Sequence, residues 1–113
     1  MSFYGVKLPP YLIIPEGVET IGENVFTSSC GIKYVKMPST LKIIRKDAFY
    51  GCKDLEYVDM SKCSPQVGMH AFGKCSRLVS IGFAPIIGSI HELAFSSCPI
   101  EKWVMEQVNI QND

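Results

Sequence analysis

The residues of this chain best suited to chemistry are its five cysteines and two histidines. Cys52, Cys75 and Cys98 follow one another at equal intervals, and Cys30 lies just out of that step. Thiols at a regular interval in a repeat would stack near the separation at which a disulfide forms. Because the chain has no secretory features, we expect these thiols to be reduced and packed at a tight corner. A zinc site is not expected, because the sequence has no C-x-x-C pair and a linear row of thiols does not surround a tetrahedral ion.

The fifth cysteine and the histidines lie outside that row. We expect Cys63, in a segment of Ser, Lys and Pro residues, to be exposed, either as a modifiable thiol or as a loop residue without function. His70 and His91 precede recurrent Ala-Phe pairs. A catalytic pair needs a nucleophile within hydrogen-bond reach of its base, yet the nearest thiol, Cys75, is expected to face the core. The sequence also has no phosphate-binding loop, metalloprotease motif or nucleophile elbow, so we predict no enzymatic activity and no cofactor.

The interval between the cysteines also separates four phenylalanines, which are Phe26, Phe49, Phe72 and Phe95. A fixed period of about 20–50 residues indicates a repeat array, in which each unit covers the apolar face of the next. An aliphatic column keeps the same step at Leu12, Val35, Val58, Ile81 and Val104. We therefore expect the Phe rings to stack as a ladder inside the array.

Each unit combines a strand with a segment that returns on the opposite side. Leu55, Val58 and Met60 have the L-x-x-L-x-L spacing of a strand that lines a concave wall. Val58 and Met60 alternate with other positions, as the two-residue period of a strand requires. Pro38 follows the corresponding strand of the previous unit and ends it, since proline donates no hydrogen bond to a ladder. The segment 41–44 then returns along the other side.

The repeated pattern I-P-x-x-V-x-x-I-x-x-x-A-F-x-x-C-x-x-L-x-x-V resembles the BspA-like leucine-rich repeat family of bacterial surface and parasitic-protist proteins. The resemblance runs from Leu12 to Val104 in about four repeats of about 23 residues each. It implies a mainly β repeat solenoid. This is a short horseshoe with a parallel concave sheet and with turns or short helices at the corners. It also implies adhesion, or binding of host and matrix proteins, for secreted relatives.

The domain organisation follows from the repeats. We assign residues 1–113 to a single leucine-rich-repeat domain, with an N-terminal cap at 1–11, repeats at 12–104 and a C-terminal tail at 105–113. Apolar residues of the cap are expected to cover the first turn, and the tail to form one more strand or a short helix. These cap residues are Phe3, Tyr4, Val6 and Leu8. Because neither end has an obvious polar cap, we predict self-association through an end or an edge strand.

The outward positions of the concave strands form the candidate binding surface. One column of these positions holds Tyr and Trp, and a neighbouring column holds charges of both signs, as recognition hot spots do. The alternative is that aromatic residues simply suit exposed strand positions. The candidate binding residues are Tyr11, Tyr34, Lys36, Tyr57, Asp59 and Trp103.

Charge and hydropathy bound the partners. The chain has 11 basic and 11 acidic residues, and Lys42 and Lys46 align with Glu19 and Glu23 of the preceding turn, so we expect no nucleic-acid partner. No apolar run of about 18 residues occurs, so membrane insertion is not expected. The start lacks a signal peptide, which favours the cytoplasm, although a chain trimmed from a secreted or cell-surface parent would look the same. We predict a non-enzymatic module that binds an unidentified protein, with self-assembly as the alternative.

Overall fold

Short strands recur along the chain at the step of the sequence repeat. The computed structural model describes residue 3 and residues 6–112, with side chains as far as residue 108. Within this part of the chain the elements are β1 (Tyr11–Ile13), β2 (Thr20–Ile21), β3 (Tyr34–Lys36), β4 (Ile43–Ile44), β5 (Tyr57–Met60), β6 (Gln66–Val67), β7 (Ser80–Phe83) and α1 (Glu101–Asn112). The predicted fold class, a mainly β repeat solenoid, is confirmed.

Two parallel sheets form opposite sides of the solenoid. One has the strand order β1-β3-β5-β7, and the other has the order β2-β4-β6. In the first sheet Tyr34 is opposite Tyr11 on one side and Tyr57 on the other, so the register advances by one repeat at each strand. Because side chains alternate along a strand, Val35 and Val58 point into the core while the tyrosines point away from it.

The core is organised by a ladder of stacked phenylalanines, as the sequence predicts. The rings of Phe26 and Phe49 are 4.9 Å apart, and those of Phe49 and Phe72, and of Phe72 and Phe95, are each 5.1 Å apart. The ladder has a fifth ring, because Phe3 stacks on Phe26 at 5.3 Å with an interplanar angle of 7°. Phe3 precedes Phe26 by the same step that separates the other rings. The N-terminal segment therefore repeats the corner of a coil, a relation that the sequence contained and our column of four missed.

Each Phe lies in a corner that requires left-handed backbone. The residue two positions after the ring has a positive φ in four coils, at Ser28 (56°), Gly51 (72°), Lys74 (54°) and Ser97 (61°). The amide of Phe49 donates to the carbonyl of Ala71 in the next coil at 2.7 Å. This close approach of successive corners explains why Ala48 and Ala71 are small and fully buried. The described corners are turns rather than short helices.

The cysteine row joins successive coils through hydrogen bonds to backbone. The thiols of Cys52, Cys75 and Cys98 donate to the carbonyls of the Phe residues one coil earlier, at 3.0, 3.2 and 2.8 Å. Burial raises the pKa of Cys52 to about 12, so this thiol stays protonated. The expectation that Cys30 belongs to this row is wrong: in the first coil the buried hydroxyl of Ser29 takes the place and donates to the carbonyl of Phe3 at 2.6 Å, and Cys30 is half-buried beside it. All five cysteines are free in this structure.

The expectation that Cys63 is exposed is wrong. Its side chain is buried at 7% exposure, and it belongs to the core cluster. The amide of Cys63 donates to the carbonyl of Met60 at 3.3 Å, which turns the chain inward directly after β5. Burial raises the pKa of Cys63 to about 11. The prediction of an exposed Cys63 rested on its polar neighbours in the sequence, which do not indicate this turn.

The C-terminal end of the solenoid is covered by α1. Ile100, Val104 and Val108 are spaced as one face of a helix and are all buried. The helix begins at Glu101, within the span assigned to repeats, and it includes the described part of the tail. Of the two alternatives for this end, a strand or a short helix, the structure has the helix, and its apolar face covers the last coil. Across the described residues, no helix has both the length and the apolar character needed to cross a membrane.

The N-terminal segment covers the first coil in part. Phe3 and Leu8 pack against the core, whereas the side chain of Val6 is largely exposed. Tyr4 lies outside the described residues. Lys7 forms a parallel bridge with Cys30, which continues the alignment of coils beyond β1. The strand β1 begins at Tyr11, the last residue assigned to the cap.

Candidate functional site

Three tyrosines form a continuous stack on the outward face of the four-stranded sheet. The parallel register of β1, β3 and β5 places Tyr11, Tyr34 and Tyr57 side by side. Their ring centroids are 5.3 Å and 4.9 Å apart, with interplanar angles of 46° and 37°. Tyr11, on the edge strand, is 69% exposed, and the two others are half-buried by their neighbours. Strand pairing fixes the spacing of the three backbone positions, so the rings form one continuous aromatic surface.

A pair of opposite charges lies beside the stack. Lys36 and Asp59 are partners in the register of β3 and β5. The Asp59 carboxylate accepts a hydrogen bond from the amide of Ser61 at 2.9 Å and one from the hydroxyl of Tyr34 at 3.4 Å. The hydrogen bond from Ser61, with smaller effects from Tyr34 and Lys36, lowers the pKa of Asp59 below its usual value. Asp59 is therefore a fixed negative charge at neutral pH.

The two central tyrosines are held in their neutral form. Partial desolvation, followed by the charge of Asp59, raises the pKa of Tyr34 and of Tyr57 above the usual value. Both hydroxyl groups therefore keep their protons over the physiological range. Tyr57 therefore offers a donor as well as an acceptor to a molecule that contacts the sheet, whereas the proton of Tyr34 is directed to Asp59 and its oxygen remains an acceptor.

Gly82 is a part of this surface that the sequence analysis did not single out. A Cβ atom at Gly82 would lie 2.7 Å from the hydroxyl oxygen of Tyr57 and 3.6 Å from Oδ1 of Asp59. The Tyr57 hydroxyl therefore occupies the space that a side chain at residue 82 would fill, and the Asp59 carboxylate lies in contact with that space. The signal in the sequence was a glycine in the same column as Lys36 and Asp59, where a strand would ordinarily carry a larger residue.

The prediction that Trp103 continues the tyrosine column on a strand is wrong. Trp103 belongs to α1, and its ring stacks on Phe83 with centroids 6.0 Å apart. The coil that should carry it departs from the repeat, because Pro99 precedes Ile100 and begins a helical spacing of apolar residues. Trp103 is nevertheless 43% exposed at the end of the same sheet, so it remains accessible from the side of β7.

A cleft of about 420 Å³ separates β7 from α1. Its walls are the outer edge of the strand and the first turn of the helix. They are apolar except for Ser80, the residue at which the tyrosine stack stops. The lining residues are Val79, Ser80, Ile81, Pro99, Ile100 and Trp103. The concave sheet thus ends in an open apolar recess.

The polar groups of the opposite sheet make a less distinctive surface. Lys42 pairs with Glu19 of the preceding coil at 3.2 Å, as the sequence predicts. Nδ1 of His91 accepts a hydrogen bond from the amide of Leu93 at 3.0 Å, so this histidine stabilises a turn. His70 lies 3.8 Å from Asp47. In the described part of the chain, no group of three His, Cys, Asp or Glu side chains is arranged to hold a metal ion.

Comparison with known families and proteins gave one match. A family model described as the BspA type leucine-rich repeat region, in six copies, matches residues 1–112. The number of copies exceeds the four repeats counted from the Phe spacing. No curated protein and no solved structure matches the chain.

Proposed function

The chain belongs to the BspA-type leucine-rich repeat family, and from this premise we propose that it is a non-enzymatic module that binds a partner protein on its concave sheet. The observation that carries the proposal is the stack of Tyr11, Tyr34 and Tyr57 on rigid strands. Tyrosine supplies a large contact area at a small cost in side-chain entropy, and such rings dominate the binding energy of protein interfaces. The repeat family supports a scaffold or interaction role in general, and the residues of this face make the proposal specific.

Charge adds selectivity to the aromatic surface. Lys36 and Asp59 present opposite charges one strand apart, next to the stack. Groups of this kind steer a partner and fix its register more than they raise its affinity. A partner with both an apolar patch and a charge of each sign fits this surface.

Partner capture tests the proposal. The protein and a Tyr34→Ala, Tyr57→Ala double variant are used as baits in an extract of the source cell, and the captured proteins are compared by mass spectrometry. We expect specific partners to be lost from the double variant. The matched control is Thr20→Ala with Gln66→Ala, which changes two exposed strand residues of the opposite sheet. Circular dichroism verifies that both variants are folded, and equal capture by all three baits would contradict the proposal.

Self-association is the second candidate function, and β1 is the observation that favours it. Tyr11 and Ile13 are 69% and 67% exposed on this edge strand, and an exposed apolar edge is a template for pairing between chains. Light scattering over a concentration series tests it, and Ile13→Lys is expected to lower the oligomeric state. A monomer at every concentration rejects this candidate. Val104 and Val108 are unsuitable for the same test, because both lie on the buried face of α1 and their replacement would disturb the fold.

A further inference from the structure

We propose that the cleft between β7 and α1 accepts an extended segment of the partner as a fifth strand of the concave sheet. The segment carries an apolar residue followed directly by Lys or Arg. The inference rests on the proposed function, since it names how a partner of the tyrosine face would continue past the end of the stack. Three features carry it, namely the open strand edge, the apolar cleft and the position of Asp59.

The first feature is the outer edge of β7. The sheet order ends at β7, whose inner side pairs with β5. The amide of Ser80 donates toward the preceding coil, to the carbonyl of Glu56 at 3.3 Å. Since the backbone groups of successive residues in a parallel strand point to opposite edges of the strand, the N–H and C=O of Ile81 point to the free edge, away from β5. Among the described residues no strand pairs with this edge. Parallel pairing of neighbouring strands occurs three times within this sheet, and an added strand would form a fourth pairing of the same kind.

The second feature is the cleft beside that edge. A helix packed directly along β7 would cover the N–H and C=O groups of its free edge, whereas here a cleft of about 420 Å³ lies between the strand and the helix. On an added strand, the side chain of the residue opposite Ile81 would lie on the same face of the sheet as the side chain of Ile81. Ile100 and Trp103 line the cleft there, so this position requires an apolar side chain.

The third feature is charge complementarity at the next position. Because Gly82 has no side chain, the groups nearest to it on this face are the hydroxyl of Tyr57 and the carboxylate of Asp59, whose Oδ1 lies 3.6 Å from where a Cβ of residue 82 would be. A residue opposite Gly82 on an added strand would therefore face this fixed negative charge. Lys or Arg fits there because a long cationic side chain can reach over the glycine to Asp59, which on its other side has Lys36 as its direct register partner.

These requirements favour a partner peptide over a second copy of this chain. The exposed strand of a second copy, β1, would place Ile13 opposite Gly82 and so leave Asp59 without a cation. The strand β3 meets all three requirements, with Tyr34 for the place opposite Ser80, Val35 for the cleft and Lys36 for Asp59. A peptide with the sequence of residues 31–37, acetylated and amidated at its ends, is therefore a suitable probe.

Fluorescence provides the assay, because Trp103 is the single tryptophan of the chain and lines the cleft. The peptide, which contains no tryptophan, is titrated to about 1 mM, a concentration that detects weak binding. We expect a saturable change in Trp103 emission. Methylation of the two peptide amides that face β7, those of its Tyr and its second Lys, should weaken binding at least about tenfold. Methylation of the Val amide, which faces away from β7, is the matched control and should weaken it by less than about threefold.

The charge is tested separately. Replacement of the second Lys of the peptide by Glu should weaken binding to the protein, and this difference should disappear in the Asp59→Asn variant. The inference is overturned if the peptide leaves Trp103 emission unchanged, if both methylated peptides bind alike, or if emission depends on protein concentration alone, which would show a second copy in the cleft. Because the capture experiment uses Tyr34 and Tyr57 and this one uses Trp103, failure of the inference is distinguishable from failure of the proposed function.

Discussion

Replacement of Phe49 by alanine tests whether the ring ladder stabilises the solenoid as a single unit. Phe49 is fully buried, and its ring stacks on Phe26 at 4.9 Å and on Phe72 at 5.1 Å. Truncation of a buried Phe costs about 3–5 kcal/mol, and each stacked pair contributes about 0.5–1.5 kcal/mol beyond its buried area. With two such pairs lost, we expect Phe49→Ala to lower the free energy of unfolding by about 4–5 kcal/mol. That is about a quarter or more of the stability of a typical domain, which is about 5–15 kcal/mol.

Phe3→Ala is the matched comparison, because Phe3 occupies the same column at the end of the ladder. Its ring is half-buried and stacks on Phe26 at 5.3 Å. We expect a smaller loss of about 1–2 kcal/mol, from partial burial and one stacked pair. The gradient from the centre of the ladder to its end follows from nearest-neighbour stacking, in which a central ring supports two interfaces and a terminal ring one.

Urea unfolding measures both effects. The transition is followed by far-ultraviolet circular dichroism, which reports the whole chain, and by fluorescence of Trp103, which reports the C-terminal end. Coincident transitions would show that loss of a central ring destabilises the distant helix, as expected of one cooperative unit. Equal losses for Phe49→Ala and Phe3→Ala, or a loss below about 2 kcal/mol for Phe49→Ala, would refute the ladder as the main stabilising feature.

Three further predictions concern the corners, the thiols and the tyrosine stack. Gly51 and Ser97 both have left-handed backbone, which costs an L-residue about 1–2 kcal/mol. Gly51→Ala should therefore destabilise the protein by about 1 kcal/mol, and Ser97→Gly should be neutral or stabilising. Thermal unfolding measures both variants, and the opposite order of stability would contradict the assigned corners. Cys30 is half-buried, whereas burial raises the pKa of Cys63 to about 11. At pH 8 a thiol reagent should therefore label Cys30 far faster than Cys63. Mass spectrometry identifies the labelled residue, and rapid labelling of Cys63 would contradict its burial. Partial desolvation raises the pKa of Tyr34 in the folded state. The neutral hydroxyl therefore contributes stability that is fully present below the pKa of tyrosine in the unfolded chain and is lost as the pH rises through the folded pKa. On alkaline titration the stability of Tyr34→Phe should fall less than that of the parent protein.

The repeat columns made most of the fold predictable. Phe49 and Val58 recur because each coil requires a large ring and a strand residue at the same place, so their burial and register could be derived from spacing alone. The same reasoning placed Tyr34 and Tyr57 side by side on the outward face. Phe3 also lies 23 residues before Phe26, but the sequence analysis counted only four phenylalanines in the column and so did not include it.

The candidate site was predictable only where the repeat was regular. Trp103 kept the numerical step but not the structure, because Pro99 and the spacing of Ile100, Val104 and Val108 favour a helix at the end of the array. A position near the end of a repeat has no following coil to pair with, so its conformation depends on local spacing and on the core left to cover. The apolar cleft is a consequence of that change, and no column of residues encodes it.

By itself the sequence determined the solenoid, its period, the ladder of rings and the tyrosine stack, because each of these follows from contacts between residues one repeat apart. Only the tertiary structure decided that Cys63 is buried, that α1 closes the C-terminal end, and that the Tyr57 hydroxyl lies over Gly82. The physical reason is that these features join residues with no fixed spacing. They depend on where the chain turns, which space a missing side chain leaves, and which apolar surface remains for the last segment to cover.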